Sequence, residues 1–260
     1  MPESMSGHPS PRRAPPAQRR PGVPVVEYRA AAKLARRVAL VTAAHAGVAR
    51  AAAVLFAREG ADLALVYPEG EEDAARETLE QVRLSGGRCL LLPGDTLSED
   101  FCRWAVEETL SSMGRLDILL NGSIQSSPGA GNGGGCSNGG GAPGVGERLS
   151  RHLFRSLQMV TAAVDHLRPG SCVINTGCSP RTPPTDPEDS AAQGAVRAFT
   201  RSLAGALAPV GIRVNCVDPG PGMDGGATAP SPEDLAPTFV YLAANPDSLG
   251  VTGEVVTVRG

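Results

Sequence analysis

The chain has 260 residues, of which 41% are hydrophobic and 20% charged, and its formal net charge at pH 7 is −3. This composition is typical of a globular protein with a sizeable core, and the length suits one α/β domain or two small ones. The small negative charge disfavours nucleic acid and membranes as partners, and no apolar run approaches the roughly 20 residues that span a bilayer. The six cysteines form no C-x-x-C pair. They predict neither a metal site nor a disulfide framework, and they are typical of a reducing cytoplasm, where we expect the protein.

Two segments stand apart from the rest by composition. Residues 1–24 contain seven prolines among Ser, Arg and Gly, which predicts a disordered arm ahead of a folded domain over residues 25–260. Residues 126–146 are rich in Gly, Ser and Asn. We interpret them as a flexible loop, because nothing in them follows a strand and opens a helix as a phosphate-binding loop does.

The remaining chain alternates short apolar runs with longer stretches of helical periodicity. Strands are predicted at residues 38–41, 63–67, 89–92, 116–120, 172–176, 212–217 and 255–258. Helices are predicted at residues 47–59, 71–84, 99–113, 149–167, 190–208 and 232–244. Strict alternation of strand and helix predicts a single-domain, doubly wound parallel sheet of Rossmann type, covered by helices on both faces.

Several ordered motifs resemble the short-chain dehydrogenase/reductase family. The segment GRLDILLNGSIQ resembles that family's fourth strand, GIRVNCVDPGP its sixth strand with a Pro-Gly turn, and FVYLAANPDSLGVTGEVVTVRG its C-terminal strand. The segments EYRAAAKL and EGEEDAARE resemble the N-terminally extended, glucose-dehydrogenase-like members. The resemblance covers about residues 25–260 and implies binding of NAD or NADP.

The cofactor loop departs from the family's pattern. The family has Thr-Gly-x-x-x-Gly-x-Gly, whereas residues 42–49 read TAAHAGVA and retain only the middle glycine. The resemblance assigns cofactor contacts to Thr42, Gly47 and Val48. Holding an alanine in the left-handed conformation that glycine adopts freely costs roughly 1–2 kcal/mol, so we expect cofactor binding to be weakened or lost. The N-terminus of the following helix still favours phosphate.

The family's catalytic residues are also replaced. Alignment puts Asp189 at the position of the catalytic tyrosine and Gln193 at that of the lysine. It puts His152 at the position of the asparagine and Cys178 at that of the serine. Composition supports this independently of alignment, because Lys33 is the only lysine and no tyrosine lies between Tyr67 and Tyr241. The proton donor that the family uses, a phenol beside an ammonium group, is therefore missing.

Other family positions are retained. The resemblance implies that Asp95 contacts adenine, and that Asn121, Pro219 and Gly220 lie beside the cofactor. The alternative is that turn geometry alone retains these residues, an interpretation that we favour for Pro219 and Gly220. After the Pro-Gly turn the family carries a helical insertion over its substrate. Only residues 222–230 stand in its place here, so we expect this cover to be deleted and the site to exclude water poorly.

Three functions follow from these departures. The first is a pseudo-oxidoreductase that binds or assembles without the standard reductase chemistry. The second is an NAD(P)-dependent oxidoreductase with a non-standard active site. The third is non-redox chemistry by Cys178, His152 and Asp189, which have the composition of a nucleophilic triad. In each case the family's use of the helices near residues 149–167 and 190–208 for association implies a homo-oligomer or a heteromer with a related protein.

Overall fold

The computed structural model describes residues 28–122, 145–177, 187–219 and 231–258. The predicted N-terminal arm, the glycine-rich loop up to residue 144, and the short segment at residues 222–230 lie outside these ranges. In the described part of the chain, no helix is long and apolar enough to cross a membrane.

Seven parallel strands form one sheet in the order β3-β2-β1-β4-β5-β6-β7. The strands are β1 (Val38–Val41), β2 (Asp62–Tyr67), β3 (Cys89–Pro93), β4 (Ile118–Asn121), β5 (Cys172–Thr176), β6 (Arg213–Pro219) and β7 (Val255–Val258). The predicted Rossmann-type sheet is therefore confirmed. The strand order reverses direction at β1, where β2 lies on one side and β4 on the other.

In the described ranges, six helices cover the two faces of the sheet. They are α1 (Gly47–Arg58), α2 (Glu72–Leu84), α3 (Glu99–Met113), α4 (Val145–Ala163), α5 (Pro187–Leu207) and α6 (Pro232–Ala243), and α4 and α5 each continue into a 3₁₀ turn. One apolar core lies between the sheet and α1, α2 and α6, and a second lies beneath α3, α4 and α5. Helix α4 begins at Val145, so its first two residues occupy the end of the stretch that we predicted as loop.

Side-chain caps account for two of the predicted helix boundaries. Ser98 accepts a hydrogen bond of 3.2 Å from the Phe101 amide at the start of α3. Ser231 and Asp234 form a reciprocal capping box at the start of α6. Each cap satisfies first-turn N–H groups that have no partner within the helix, and thereby fixes where the helix begins.

Two arginines hold the amino-terminal edge of the sheet together. Arg213 is 5% exposed and donates hydrogen bonds to the Leu242 carbonyl at 2.7 Å and to the Asn245 side chain at 2.8 Å. Arg37 donates to the Ala243 carbonyl at 2.8 Å. Both guanidinium groups therefore face the C-terminal end of α6, where the helix dipole and the unpaired carbonyls favour positive charge.

The segment that precedes β1 is fastened by a buried carboxylate. Glu59, at the end of α1, is fully buried and accepts hydrogen bonds from the Tyr28 hydroxyl, the Ala31 amide at 3.0 Å and the Lys33 amide at 2.8 Å. Burial alone would raise the pKa of Glu59, but these hydrogen bonds lower it below its usual value. Lys33 adds a surface ion pair with Asp247, 2.6 Å from Nζ to Oδ2.

Candidate functional site

The crevice between β1 and β4 opens at the carboxyl ends of these strands, where the strand order reverses. In open α/β sheets this is the place where ligands bind. The Thr42 amide donates to the Leu120 carbonyl at 2.9 Å, and the Gly122 amide donates to Thr42 Oγ1 at 2.9 Å. Thr42 thus joins the end of β1 to the end of β4 through both its backbone and its side chain.

Gly122 is required at this junction for space. A Cβ atom there would lie 2.2 Å from the Thr42 carbonyl oxygen and 2.7 Å from Ala49 Cβ, both far below normal contact distances. The backbone after β4 therefore passes directly over the loop from β1 to α1. This close approach leaves no room for a side chain at residue 122.

The loop from β1 to α1 keeps a glycine-like backbone although its first glycine position is alanine. Ala43 has a φ of +54° and Gly47 has a φ of +58°. The Ala44 amide donates to the Val66 carbonyl at 3.1 Å, and Thr78 Oγ1 donates to the Ala44 carbonyl at 3.1 Å. These bonds to β2 and α2 hold the left-handed conformation at Ala43, so the loop tolerates the steric cost predicted for this substitution.

The N-terminus of α1 faces this crevice without a side-chain cap. The N-cap residue is Ala46, whose side chain accepts no hydrogen bond from the first turn, and the first turn contains no acidic residue. The first-turn amides, including that of Val48, are therefore available to an anion, which the helix dipole also favours. The predicted contacts Thr42, Gly47 and Val48 lie together in this segment.

His45 lies in the same loop and did not figure among the predicted site residues. Its side chain is 8% exposed, and its buried Nδ1 atom has no hydrogen-bond partner. Burial lowers the pKa of His45, and the charge of Glu71 opposes this in part. The sequence signal was a histidine at a position of the family's loop that tolerates any residue, which by itself indicates no role.

A chain of buried polar groups runs from β4 through β5 to α5. Asn121 Nδ2 donates to Asn175 Oδ1 at 2.9 Å, and Asn175 Nδ2 donates to Thr200 Oγ1 at 3.0 Å. The Oδ1 atom of Asn121 is buried without a partner. Asn121 therefore has a structural role in joining two strands and keeps one acceptor free at the carboxyl edge of the sheet.

A buried carboxylate lies at the end of β6. Asp218 is 1% exposed and accepts a hydrogen bond of 2.7 Å from Gln193 Nε2 through Oδ1. Its Oδ2 forms an ion pair with the guanidinium of Arg197, one turn further along α5. At the position of the family's lysine this chain thus has a neutral amide, and the nearest positive charge on the helix is that of Arg197.

Asp218 is the aspartate of the segment GIRVNCVDPGP, which was interpreted only as a strand with a Pro-Gly turn. A carboxylate at the end of a predicted buried strand was the available signal, because buried charges need partners. Those partners lie 25 and 21 residues away on α5, and only the folded chain brings them together.

Asp95 follows β3, and its side chain contacts two of the described residues. Its Oδ1 accepts a hydrogen bond of 3.0 Å from the Leu97 amide and lies 3.1 Å from Arg155 Nη2 on α4. The carboxylate is about half exposed. It therefore braces the turn after β3 against α4, and its contact with adenine stays a prediction.

The other predicted site residues are described only in part. His152 and Asp189 fall within α4 and α5, but their side chains lie outside the described residues, and Cys178 and Gly220 lie outside them altogether. Pro219 ends β6. The proposed grouping of Cys178, His152 and Asp189 therefore stays a prediction. Within the described ranges, no three His, Cys, Asp or Glu side chains are placed to hold a metal ion.

Comparison with known proteins identifies close relatives among oxidoreductases. General stress protein 39 of Bacillus subtilis is 38% identical over 98% of this chain and 98% of its own length. The uncharacterized oxidoreductase YhdF of the same organism is 33% identical over 90% of this chain and 86% of its own. The NADPH-dependent aldehyde reductase 1 of Arabidopsis thaliana, a chloroplast protein, is 30% identical over 90% of this chain and 88% of its own.

Solved structures give the same picture. The reductase LugOII, which catalyses keto-reduction at C1 during lugdunomycin biosynthesis, is 28% identical and superposes with a TM-score of 0.69 over 87% of this chain and 96% of its own. A short-chain dehydrogenase from Mycobacterium paratuberculosis bound to NAD is 25% identical, with a TM-score of 0.70 over 87% of this chain and 97% of its own.

These findings correct the first of the three functions. A pseudo-oxidoreductase with only a binding or assembly role was the leading prediction, and it is wrong, because relatives that match about nine-tenths of the chain are named as oxidoreductases or reductases. The prediction failed because it rested on the departures from the family's pattern, namely the replaced catalytic residues, the lost glycines and the missing insertion, and not on the similarity of the rest of the chain. The family model for enoyl-(acyl carrier protein) reductase matches residues 42–230. Together with the relatives above, this match shows that the chain belongs to the short-chain dehydrogenase/reductase family.

Proposed function

We propose that the protein is an NAD(P)-dependent oxidoreductase with a non-standard active site, which interconverts a small carbonyl compound and its alcohol. The observation that carries the proposal is the backbone of the loop from β1 to α1, which keeps the left-handed turn at Ala43 and leaves the N-terminus of α1 uncapped. Keeping an alanine in that conformation costs roughly 1 kcal/mol, and hydrogen bonds to β2 and α2 maintain the turn that leads into the uncapped N-terminus of α1.

The described residues fit a dinucleotide in this crevice. The free amides of α1 suit a pyrophosphate, and the orphaned Oδ1 of Asn121 suits a donor at the carboxyl edge of β4. When bound, the cofactor supplies or accepts a hydride. The oxidoreductase names of the relatives, including an NADPH-dependent aldehyde reductase, support the carbonyl substrate class.

The proton that accompanies hydride transfer needs a donor other than tyrosine. Asp189 is our candidate, because it lies one helical turn before Gln193 on α5, and Gln193 bonds Asp218 at the end of β6. In the reducing direction Asp189 would provide, from its protonated carboxyl group, the proton that the carbonyl oxygen needs, and a bound cofactor would provide the hydride. Without a neighbouring lysine, this acid is expected to be slower than the family's tyrosine by up to the 10²–10⁴-fold that general acid catalysis contributes.

Calorimetric titration of the purified chain with NADH and NADPH tests the first step, and loss of nicotinamide absorbance with a panel of aldehydes and ketones tests the second. We expect binding of at least one dinucleotide and slow turnover that Asp189→Asn abolishes and Asp189→Glu retains in part. Gly205→Ala, at an open position in α5, is the matched control. Absence of binding by both dinucleotides would refute the proposal. Turnover that depends on Cys178 and His152 without any dinucleotide would instead favour the triad.

The proposal includes association of two or more copies, or of this chain with a related protein. Two apolar side chains on α4 support it, since Phe154 is 50% exposed and Leu157 is 39% exposed. Such side chains on one helix are typical of contact surfaces. Light scattering at micromolar concentration should give a dimer or larger, and Phe154→Glu should shift the population towards monomer. A monomeric wild-type chain, alone and mixed with a relative, would contradict this part.

A further inference from the structure

His45 combines three properties that its surroundings do not explain. It lies two residues before the start of α1, it is 8% exposed, and its Nδ1 has no partner. A buried polar atom without a partner costs free energy, commonly about 1–3 kcal/mol, and such an atom in a native structure points to a missing interaction.

No other side chain in the loop from β1 to α1 offers a positive charge to an anion. Arg50, one turn into α1, is already paired with Glu77 on α2 at 3.1 Å. The amides at the N-terminus of α1 are neutral donors. Among the described residues of the loop from β1 to α1, His45 is the one side chain that can gain positive charge near neutral pH.

We propose that His45 binds a phosphate group of the dinucleotide and takes up a proton as it does so. The inference rests on the proposed function and extends it, because it makes cofactor affinity depend on pH through one named residue. The phosphate oxygen supplies the acceptor that Nδ1 lacks, and the imidazolium adds charge to the uncapped helix N-terminus. Two of the family's glycines are alanine in this loop, and their side chains keep the backbone further from a bound phosphate. The charge of His45 offsets the weaker backbone contacts.

The direction of the pH dependence follows from the groups around His45. Burial favours the neutral imidazole in the free protein. The charged and titratable groups on the neighbouring elements are Glu71 at the start of α2, Tyr67 at the end of β2, and the Arg50–Glu77 pair. Of these, Glu71 acts on His45 and favours the proton. A bound phosphate adds a second negative charge, so binding draws a proton in and becomes tighter as the pH falls.

The test is calorimetric titration of the full chain with NADH, NADPH and ADP-ribose between pH 6 and pH 8, in buffers of differing ionisation enthalpy. If binding takes up about one proton, the affinity falls as the pH rises, by at most roughly tenfold per pH unit between the pKa values of His45 in the free and bound protein. We expect a fall of about five- to tenfold over this range. His45→Gln keeps a hydrogen-bonding side chain but cannot titrate, so its affinity should be independent of pH. His166→Gln is the control, because His166 is exposed in the turn after α4.

The three ligands distinguish which phosphate is bound. A pH effect with NADH and ADP-ribose identifies the pyrophosphate, and an effect with NADPH beyond the titration of its own 2′-phosphate identifies that group. Either supports the proposal. The chain has four histidines, so the wild-type His45 imidazole can also be followed by NMR with and without NADH, which needs no stable variant.

Two further outcomes separate failure of the role of His45 from failure of the proposed function. Binding of a dinucleotide with equal affinity at pH 6 and pH 8, or a His45 resonance that does not shift on binding, would overturn the role of His45 and leave the proposed function standing. Binding of no dinucleotide at any pH would overturn the proposed function and this inference with it.

Discussion

Replacing Gly122 by alanine is the most direct test of how the crevice is built. The added Cβ would lie 2.2 Å from the Thr42 carbonyl oxygen and 2.7 Å from Ala49 Cβ. A tolerable contact begins above 3.0 Å, so the Thr42 carbonyl has to move by about 1 Å. That movement strains the bond between the Thr42 amide and the Leu120 carbonyl, and the bond between the Gly122 amide and Thr42 Oγ1.

The expected loss of stability lies at the upper end of the range for overpacked sites, about 2–3 kcal/mol, because both obstacles belong to neighbouring backbone or to a short side chain. For a folded region of this size the midpoint of thermal unfolding should fall by about 5–10 °C. Dinucleotide affinity should fall by about tenfold or more, the equivalent of one charge-assisted hydrogen bond. Urea denaturation and calorimetric titration measure the two effects.

Gly205 provides the matched control for this substitution. A Cβ at Gly205, inside α5, would meet no atom within 4 Å, and its φ is not positive. Gly205→Ala should therefore stabilise the protein by up to about 1 kcal/mol and leave ligand binding unchanged. If Gly122→Ala unfolds within about 0.5 kcal/mol of wild type and binds dinucleotide normally, the tight contact between β4 and the loop is not what shapes the crevice.

Three further substitutions test other parts of the structure. Ala43→Gly should raise the free energy of unfolding by about 0.5–1 kcal/mol, because glycine adopts the left-handed conformation without strain. The control Ala44→Gly should lower the free energy of unfolding. If urea denaturation gives the same change for both variants, the left-handed conformation at Ala43 is contradicted. Glu59→Gln should destabilise by about 2–3 kcal/mol. Because the pKa of Glu59 is lowered on folding, its contribution to the free energy of unfolding is complete above the unfolded value of 4.5 and is lost as the pH falls. The free energy of unfolding of the variant, measured from pH 6 to pH 3, should therefore decrease less steeply with falling pH than that of the wild type. Asp218→Asn should cost about 1–3 kcal/mol, less than a fully buried pair because Arg197 is 39% exposed; an unchanged urea midpoint would argue against the ion pair.

The strands of the sheet were predictable because they are short runs of mostly apolar residues. Every residue of Val38–Val41 is buried, and a run that is apolar throughout is typical of an interior strand of a parallel sheet. The predicted order of strands and helices then left few topologies, since crossovers between parallel strands are right-handed. The largest differences at element ends occur at α4, which starts at Val145 after a stretch of glycines.

The site was less predictable because its contacts join residues far apart in the chain. The pattern of missing glycines correctly indicated strain at Ala43, but it gave no sign that bonds to Val66 and Thr78 hold the loop in place. Likewise, Gln193 was predicted from alignment as a lost lysine, whereas its bond to Asp218 depends on the packing of α5 against β6. Local patterns fix which strand or helix a residue joins, and tertiary packing decides its partner.

The single lysine has a practical consequence for handling the protein. Lys33 is the only side-chain amine in the sequence, and it lies before β1, on the side of the sheet opposite the proposed cofactor crevice. Its hydrogen bond to Asp247 raises the pKa of the amine, so acylating reagents should need a more alkaline solution than usual to reach it. A fluorophore or a sensor surface attached through Lys33 would leave the crevice facing the solution.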